Sequence, residues 1–451
     1  MFASRFATGC RSRTPGNLKF RRSALSLAVL STALLAAPAF AQTAQQPTQV
    51  WNETFSEVTT PSKLILVKTG GLTFTSDDAY RPLSKACDGW IINSDTALTS
   101  SVTDTGCESV GWARMQSLAG LLGGNAAIAY TNAGSSSSIS YAANVVTISD
   151  LSQATNLAEP VIPGHFYMGS VKYAALDCTS SAPMIAVNLL GGNSTSTAPV
   201  SVCTGTPQEN ANSKDGSAYV STVESDVLLY TGAPLQYSIS NSQTSGNGND
   251  SAFNNLTLWD VTPTVTQAVS TPTATVNTPV TLTFTVTNTT DDLTKDGWSF
   301  TDELPSGLTV VPGATPGGTC LTAPYKATVD ASGSSIAVEP GSGDIPGGSD
   351  NSCTISVQVT SAAPGTYVSG VTTDPTTGST ADTITPTGLI SLDAKDLIFT
   401  AGDPPPPPPG GNPPSRGGVS SVPMSKGALG LLALLLAAAA YPLSRRAKKR
   451  S

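Results

Sequence analysis

Val280-Thr281-Leu282-Thr283-Phe284-Thr285-Val286-Thr287 alternates apolar residues with threonine without a break. Successive side chains of an extended chain point to opposite faces, so this run puts one face in a core and the other in water, as a β-strand does. Cys353-Thr354-Ile355-Ser356-Val357-Gln358-Val359 repeats the pattern. Helical spacing is scarce. Only residues 109–122, with Met115, Leu118, Ala119 and Leu122 on one stripe, predict a helix, and two glycines weaken it. A chain rich in Thr, Ser, Gly, Asn and Val with few charges is expected to be all-β.

Residues 42–402 are too many for one small sandwich, and a boundary near Pro263 divides them into domains at 42–262 and 263–402. In the second, Pro305-Ser306-Gly307 supplies a turn ahead of a short strand, and Ile345-Pro346-Gly347-Gly348 supplies another. About seven strands with regular turns predict an immunoglobulin-like sandwich. Phe300-Thr301-Asp302 leading into Leu304-Pro305-Ser306-Gly307-Leu308, Asn288 after the Thr-rich strand, and Gly365-Thr366-Tyr367 resemble the Ig-like (DUF11-type) repeats of bacterial cell-surface proteins. The resemblance implies a spacer or adhesin building block without a catalytic centre.

The first domain opens with Trp51-Asn52-Glu53-Thr54-Phe55-Ser56-Glu57 and closes with residues 248–260, ending Leu256-Thr257-Leu258-Trp259-Asp260. These ends resemble the paired first and last strands of a galactose-binding-like jelly roll. That resemblance implies termini side by side in one sheet and, in many members, a structural calcium. Glu53, Glu57, Asp250 and Asp260 are the acids that could hold one, although Asn254 and Asn255 stand where acids are usual, which weakens an oxygen-rich, charge-dense site. His165 to Val171 reads as a buried strand.

Both ends of the chain look like addresses. Residues 1–41 carry six basic residues, an apolar stretch from Ala24 and an Ala39-Phe40-Ala41 cleavage site, the pattern of a secretory signal peptide. After six prolines, Pro404 to Pro409, residues 403–421 form a Pro/Gly-rich stalk. Then come Val422-Pro423-Met424-Ser425, a 17-residue apolar run from Gly427 to Leu443, and five basic residues. Such a run is at the short end of what crosses a bilayer, and the basic cluster would hold its end on the cytoplasmic side. The tail, 422–451, is either a plain transmembrane anchor or a sorting signal similar to the IPTL-CTERM and PEP-CTERM tails, which implies a sorting protease as partner.

Of 23 basic residues, six lie in the signal and five after the apolar run, so 12 face 31 acids in the exported body, a net charge of −19. That repels phosphate backbones and excludes nucleic acid as a partner. Apart from Cys10, the cysteines fall into local pairs, Cys87 with Cys107, Cys178 with Cys203 and Cys320 with Cys353. An even count in an exported chain predicts disulfides; of the 15 pairings open to six cysteines, nearest neighbours are expected. His165 is the sole histidine, so Ser-His-Asp or Cys-His catalysis lacks a free base, and no Lys-bearing glycine loop offers nucleotide binding. No enzyme activity and no cofactor are expected. Trp90, after Cys87-Asp88-Gly89, is the aromatic most able to line a sugar-binding surface, although tryptophans are usually core. The sequence thus predicts a protein of the Gram-negative cell envelope, anchored or released at the surface. It would act in adhesion or envelope structure, or bind extracellular polysaccharide through the first domain, with a glycan or a surface protein as partner.

Overall fold

The computed structural model describes residues 44–402 apart from 65–67, 77–86, 100–106, 108, 130–142, 179–181, 192–194, 214–215, 244–249, 292, 322–325, 340–344, 346–351, 371, 374–379, 382–383 and 392–393. The signal peptide, the proline-rich stalk, the motif Val422 to Ser425 and the apolar tail lie outside the described residues. Among the described residues no helix is long and apolar enough to cross a membrane.

Strands up to Asp260 build two sheets. The nine-stranded sheet runs Thr206–Glu209, Ser217–Glu224, Phe166–Leu176, Ser251–Asp260, Asn125–Ala129, Trp90–Asn93 and Ser62–Lys63; Thr48–Glu53 and Leu228–Leu229 pair off this path. The opening strand Thr48–Glu53 lies antiparallel to the closing strand, with Thr48 opposite Asp260 and Glu53 opposite Leu256, so the two ends of this sandwich meet as expected. A seven-stranded sheet centred on Gln236–Asn241 packs on one face of the first. Trp51, Tyr173 and Phe253 from one sheet meet Val187, Tyr237 and Ile239 from the other, and the Trp51 and Tyr237 rings sit edge to face at 6.2 Å.

The opposite face of the nine-stranded sheet is also covered. The helix Ser109–Leu121 lays Met115, Leu118, Ala119 and the following Leu122 over Trp90, Ile92, Ala126, Ile128, Ala174 and Ala252. Each strand therefore feeds two cores: Ile91, Ala127 and Phe253 point to one, and their neighbours Ile92, Ala126 and Ala252 to the other. Trp90 belongs to this second core at 3% exposure, with Lys63 Nζ 5.8 Å from its ring centroid. The expectation that it lines a surface is corrected by the helix packed on its side of the sheet.

Strands from Thr264 onward form a second sandwich around Val265, Leu282, Phe284, Trp298, Phe300, Ile355 and Val357. Val280–Thr287 is the central strand the alternation predicts, paired on one side with Thr264–Val269 and on the other with Ser352–Ser361. After Thr264–Val269 the chain crosses to the opposite sheet as Thr273–Thr275, parallel to Ala394–Thr400. Pro272, which has no N–H to offer a ladder, sits at the crossing and accepts from Ile398 N–H at 2.8 Å. At the corner between Ser352–Ser361 and Gly365–Gly370, Tyr367 Oη lies 3.0 Å from the Ala363 carbonyl and 2.7 Å from Ser361 Oγ, the arrangement of a tyrosine corner. Tyr367→Phe removes both of these bonds but leaves Ser361 Oγ bonded to the Ala363 carbonyl at 2.9 Å, so a loss of about 0.5–1.5 kcal/mol in urea unfolding is expected.

The disulfides join Cys87 to Cys107, Cys178 to Cys203 and Cys320 to Cys353, with Cα separations of 4.9, 5.6 and 4.9 Å. The first ties the start of strand Trp90–Asn93 to the approach to the helix, and the second ties the end of the long strand Phe166–Leu176 to the turn before Thr206. The third pins the short turn Thr319–Leu321 to the strand Ser352–Ser361.

Between the two sandwiches runs only Val261-Thr262-Pro263, all buried. Phe166 and Met168, on a strand of the first sandwich, are members of the second sandwich's core together with Val261. Phe166 N–H donates to Thr262 Oγ1 at 2.9 Å, Thr289 Oγ1 donates to the Val261 carbonyl at 3.1 Å, and Thr290 N–H reaches the Gln45 carbonyl at 2.9 Å. Gly388 closes this junction: its φ is +68°, and a Cβ there would stand 2.5 Å from the Phe166 ring. The sandwiches share apolar core and hydrogen bonds, and residues up to Ala401 form one compact unit.

Candidate functional site

The helix covers only part of its sheet face. It stops because Gly123 and Gly124 take φ of +103° and +115°, conformations that favour glycine, and Gly124 N–H turns back to the Ala119 carbonyl at 2.9 Å. Beyond that stop, polar residues gather around one hollow. Thr222 is paired with Lys172, Lys172 with Asn254, and, two strands over, Asn125 with Asn93.

Three of the asparagines are fixed by the protein. Asn93 Nδ2 donates to Asn125 Oδ1 at 2.7 Å, Asn125 Nδ2 donates to the Phe55 carbonyl at 2.6 Å, and Asn254 Nδ2 donates to the Leu122 carbonyl at 3.3 Å. The closing strand is bulged between Asn254 and Thr257, and Asn255 takes φ +54°. Phe55 has the same φ, +54°; Asn255 lines the hollow, and Phe55 sits in the core between Thr54 and Ser56, which line it. Non-glycine residues in this region are uncommon and gather at functional sites.

The hollow, about 350 Å³, is lined by Thr54, Ser56 and Asn93, Asn125, Asn254 and Asn255, with Lys172 at its border. Lys172 also borders an adjoining groove of about 730 Å³ that reaches Thr206 and Gln208 on the sheet edge. No carboxylate lines either space among the described residues. By contrast, the smaller hollows near the junction of the sandwiches contain Asp226 and Asp296, or Glu159 and Asp260. Lys172 has no ion pair or hydrogen bond of its own among the described residues. It is the one half-buried residue in the otherwise buried strand Phe166–Leu176, an isolated cation in an apolar run, and that pattern is the signal by which sequence could have found it.

The acids considered for calcium do not form one site. Asp250 precedes the closing strand and Asp260 ends it, ten residues on, so at ~3.3 Å per residue they lie roughly 30 Å apart. Asp250 is held by Arg114, with Nη2 at 2.8 Å and Nε at 3.2 Å, and Asp260 Oδ2 lies 2.7 Å from His165 Nδ1 while its Oδ1 accepts from Thr262 N–H at 2.9 Å. Glu53 accepts the Phe55 N–H; burial is the main influence and pushes its carboxyl up, and the nearby charge of Glu57 adds to this. No group of three or more metal-ligating residues occurs among the described residues. His165, just ahead of its strand, is thus engaged by Asp260, as a lone histidine in such a place usually is.

Residues 263–387, the second sandwich, match a family described as "Domain of unknown function (DUF7933)". The DUF11-type likeness stays a resemblance of motifs. No curated relative matches the chain. Among solved structures, the chain is similar to the N-terminal domain of the Streptococcus gordonii adhesin Sgo0707 (8% identity, TM-score 0.26, 79% of this chain and 88% of that one). It is also similar to the collagen adhesin (CNA) from S. aureus (11%, 0.18, 57% and 85%) and to the CBM22-1-CBM22-2 tandem domain of Paenibacillus barcinonensis Xyn10C (10%, 0.20, 79% and 100%). Scores this low establish neither a shared fold nor a shared activity.

Proposed function

We propose that this chain is an exported, non-enzymatic protein of the Gram-negative cell surface, sorted or anchored through its C-terminal tail, that presents its N-terminal sandwich to an extracellular partner. The observation that supports it most is the junction. A head whose strand residues Phe166 and Met168 sit in the core of the Ig-like module is mounted without a hinge segment, which suits holding a binding face at a fixed angle away from an envelope. Three disulfides fit an oxidising compartment. Mass spectrometry of the mature protein after cell fractionation tests the address. A C-terminus between Val422 and Lys426 on protein at the surface or in the medium is the expected result, with an intact Ser451 in the inner membrane as the plain-anchor outcome. Retention of residues 1–41 on cytoplasmic protein would overturn the reading.

A second reading, recognition of extracellular polysaccharide by the N-terminal sandwich, is favoured by the polar groove beyond the helix. Its face moves from Trp90, which is core, to the asparagine-lined hollow.

A further inference from the structure

The groove beyond the helix combines four properties that the hollows near the junction do not show together. It is long, it mixes amides and hydroxyls with Leu121, Leu122, Pro207 and Val220, and among the described residues no acid lines it and the one ammonium at its centre has no partner. Through the two adjoining hollows it extends from Gln208 on one edge strand to Asn93, five strands away, about 24 Å at ~4.8 Å per strand. That length suits a chain of several units rather than a single small molecule.

We propose that this groove binds an oligosaccharide of mostly neutral sugars bearing an isolated carboxylate, which Lys172 pairs. The proposal rests on the polysaccharide-recognition reading and names its site and ligand class. Side-chain amides and hydroxyls each donate and accept, which matches the paired donor and acceptor character of sugar hydroxyls. The fixed side chains of Asn93, Asn125 and Asn254 give the floor a set geometry before any ligand arrives, which reduces the ordering cost of binding. Asn255, Gln208 and Thr222 keep side-chain hydrogen-bonding groups with no partner among the described residues.

The charge pattern selects the class. A half-buried ammonium with no partner among the described residues, in a body with 31 acids, is placed for an anion that arrives from outside. A densely charged polyanion does not fit, because the net charge of −19 on the exported body repels it and the groove offers a single cation. One carboxylate on an otherwise neutral chain satisfies both conditions.

The test is calorimetric titration of the whole protein in detergent with two matched pairs: a xylo-oligosaccharide bearing one glucuronate against its neutral parent, and a sialylated lactosamine chain against its neutral parent. At least one acidic member is expected to bind tenfold or more tightly than its parent, and the pair that does so identifies the source of the carboxylate. Lys172→Gln should abolish that preference, bringing the acidic member to the affinity of its parent, and Lys172→Arg should retain it. Equal binding of acidic and neutral members, or a preference that survives Lys172→Gln, overturns the ligand class and leaves the polysaccharide reading standing. No binding of any of the four overturns the proposal, and a glycan array on the same protein then decides the reading itself: a competable hit elsewhere keeps it, a blank array ends it.

Discussion

Arg114→Ala is expected to lower the unfolding free energy by about 3–5 kcal/mol, the cost of stranding buried charge. Arg114 sits in the second turn of the helix and is buried, as are its partners Asp177 and Asp250. Its Nη2 contacts both carboxylates, and Nη1 donates to the Asn212 carbonyl at 2.6 Å. Asp177 follows the strand Phe166–Leu176 and Asp250 precedes the closing strand, so one guanidinium ties the helix to the ends of two neighbouring strands. Truncation removes the guanidinium from two buried carboxylates, a larger loss than the pair's net worth when intact. Arg114→Met, which keeps most of the side-chain volume, should lose nearly as much. Adding Asp177→Asn and Asp250→Asn to it should recover most of the loss, because the stranded charges are then gone. Urea unfolding of the four proteins decides this: a loss under about 1 kcal/mol for Arg114→Ala means that water reaches the triad and the ion cluster is not structural.

The second sandwich was legible because its strands bury one face. Val280–Thr287 alternates, its buried and half-buried positions alternate with it, and period two carries the information. In the nine-stranded sheet both faces are covered, so strands read as apolar runs, Trp90-Ile91-Ile92 or Ala126-Ala127-Ile128, which periodicity cannot tell from a helix. The helix itself could be read from the 115, 118, 119 and 122 stripe, and from it follows the burial of Trp90, but only once the sheet face under it is known. The site was hidden for a related reason. Asn254 and Asn255 were visible as departures from an acidic pattern, yet their meaning depends on Asn93, Asn125 and Lys172, brought to the same hollow from as far as 161 residues before Asn254 in sequence. Asp250 and Asp260 look like neighbours in sequence and are separated by the full length of an extended strand.

The same alternation that exposes the pattern of the Ig-like sandwich also forces a carboxylate into its core, and this sets the pH dependence of stability. In Ser299–Glu303, Phe300 points inward, so Asp302, two residues on, does too, and it is fully buried. Neither carboxyl oxygen has a hydrogen-bond partner among the described residues; Ser369 lies close enough to favour the charged form slightly, but its hydroxyl donates to Gln267 Oε1 at 2.9 Å. Burial first, and the charge of Glu303 second, push Asp302 up to about 7 from 3.8. The unfolded chain therefore releases this proton from about pH 4, while the folded protein holds it until about pH 7. Across that window unfolding is favoured progressively as pH rises, by ~1.4 kcal/mol per unit, which amounts to about 4 kcal/mol by neutral pH. Below the unfolded value both states are protonated and the penalty vanishes. Asp302→Asn keeps the shape and removes the titration. The variant should match the wild type within about 1 kcal/mol at pH 4, gain on it through pH 5 and 6, and exceed it by several kcal/mol at pH 8, where the gap levels off. Paired urea unfolding at those four pH values reads the difference directly, with contributions from the other acids cancelling between the two proteins. A gap independent of pH would show that Asp302 is ionised in the folded core and that water or a neighbour compensates its charge.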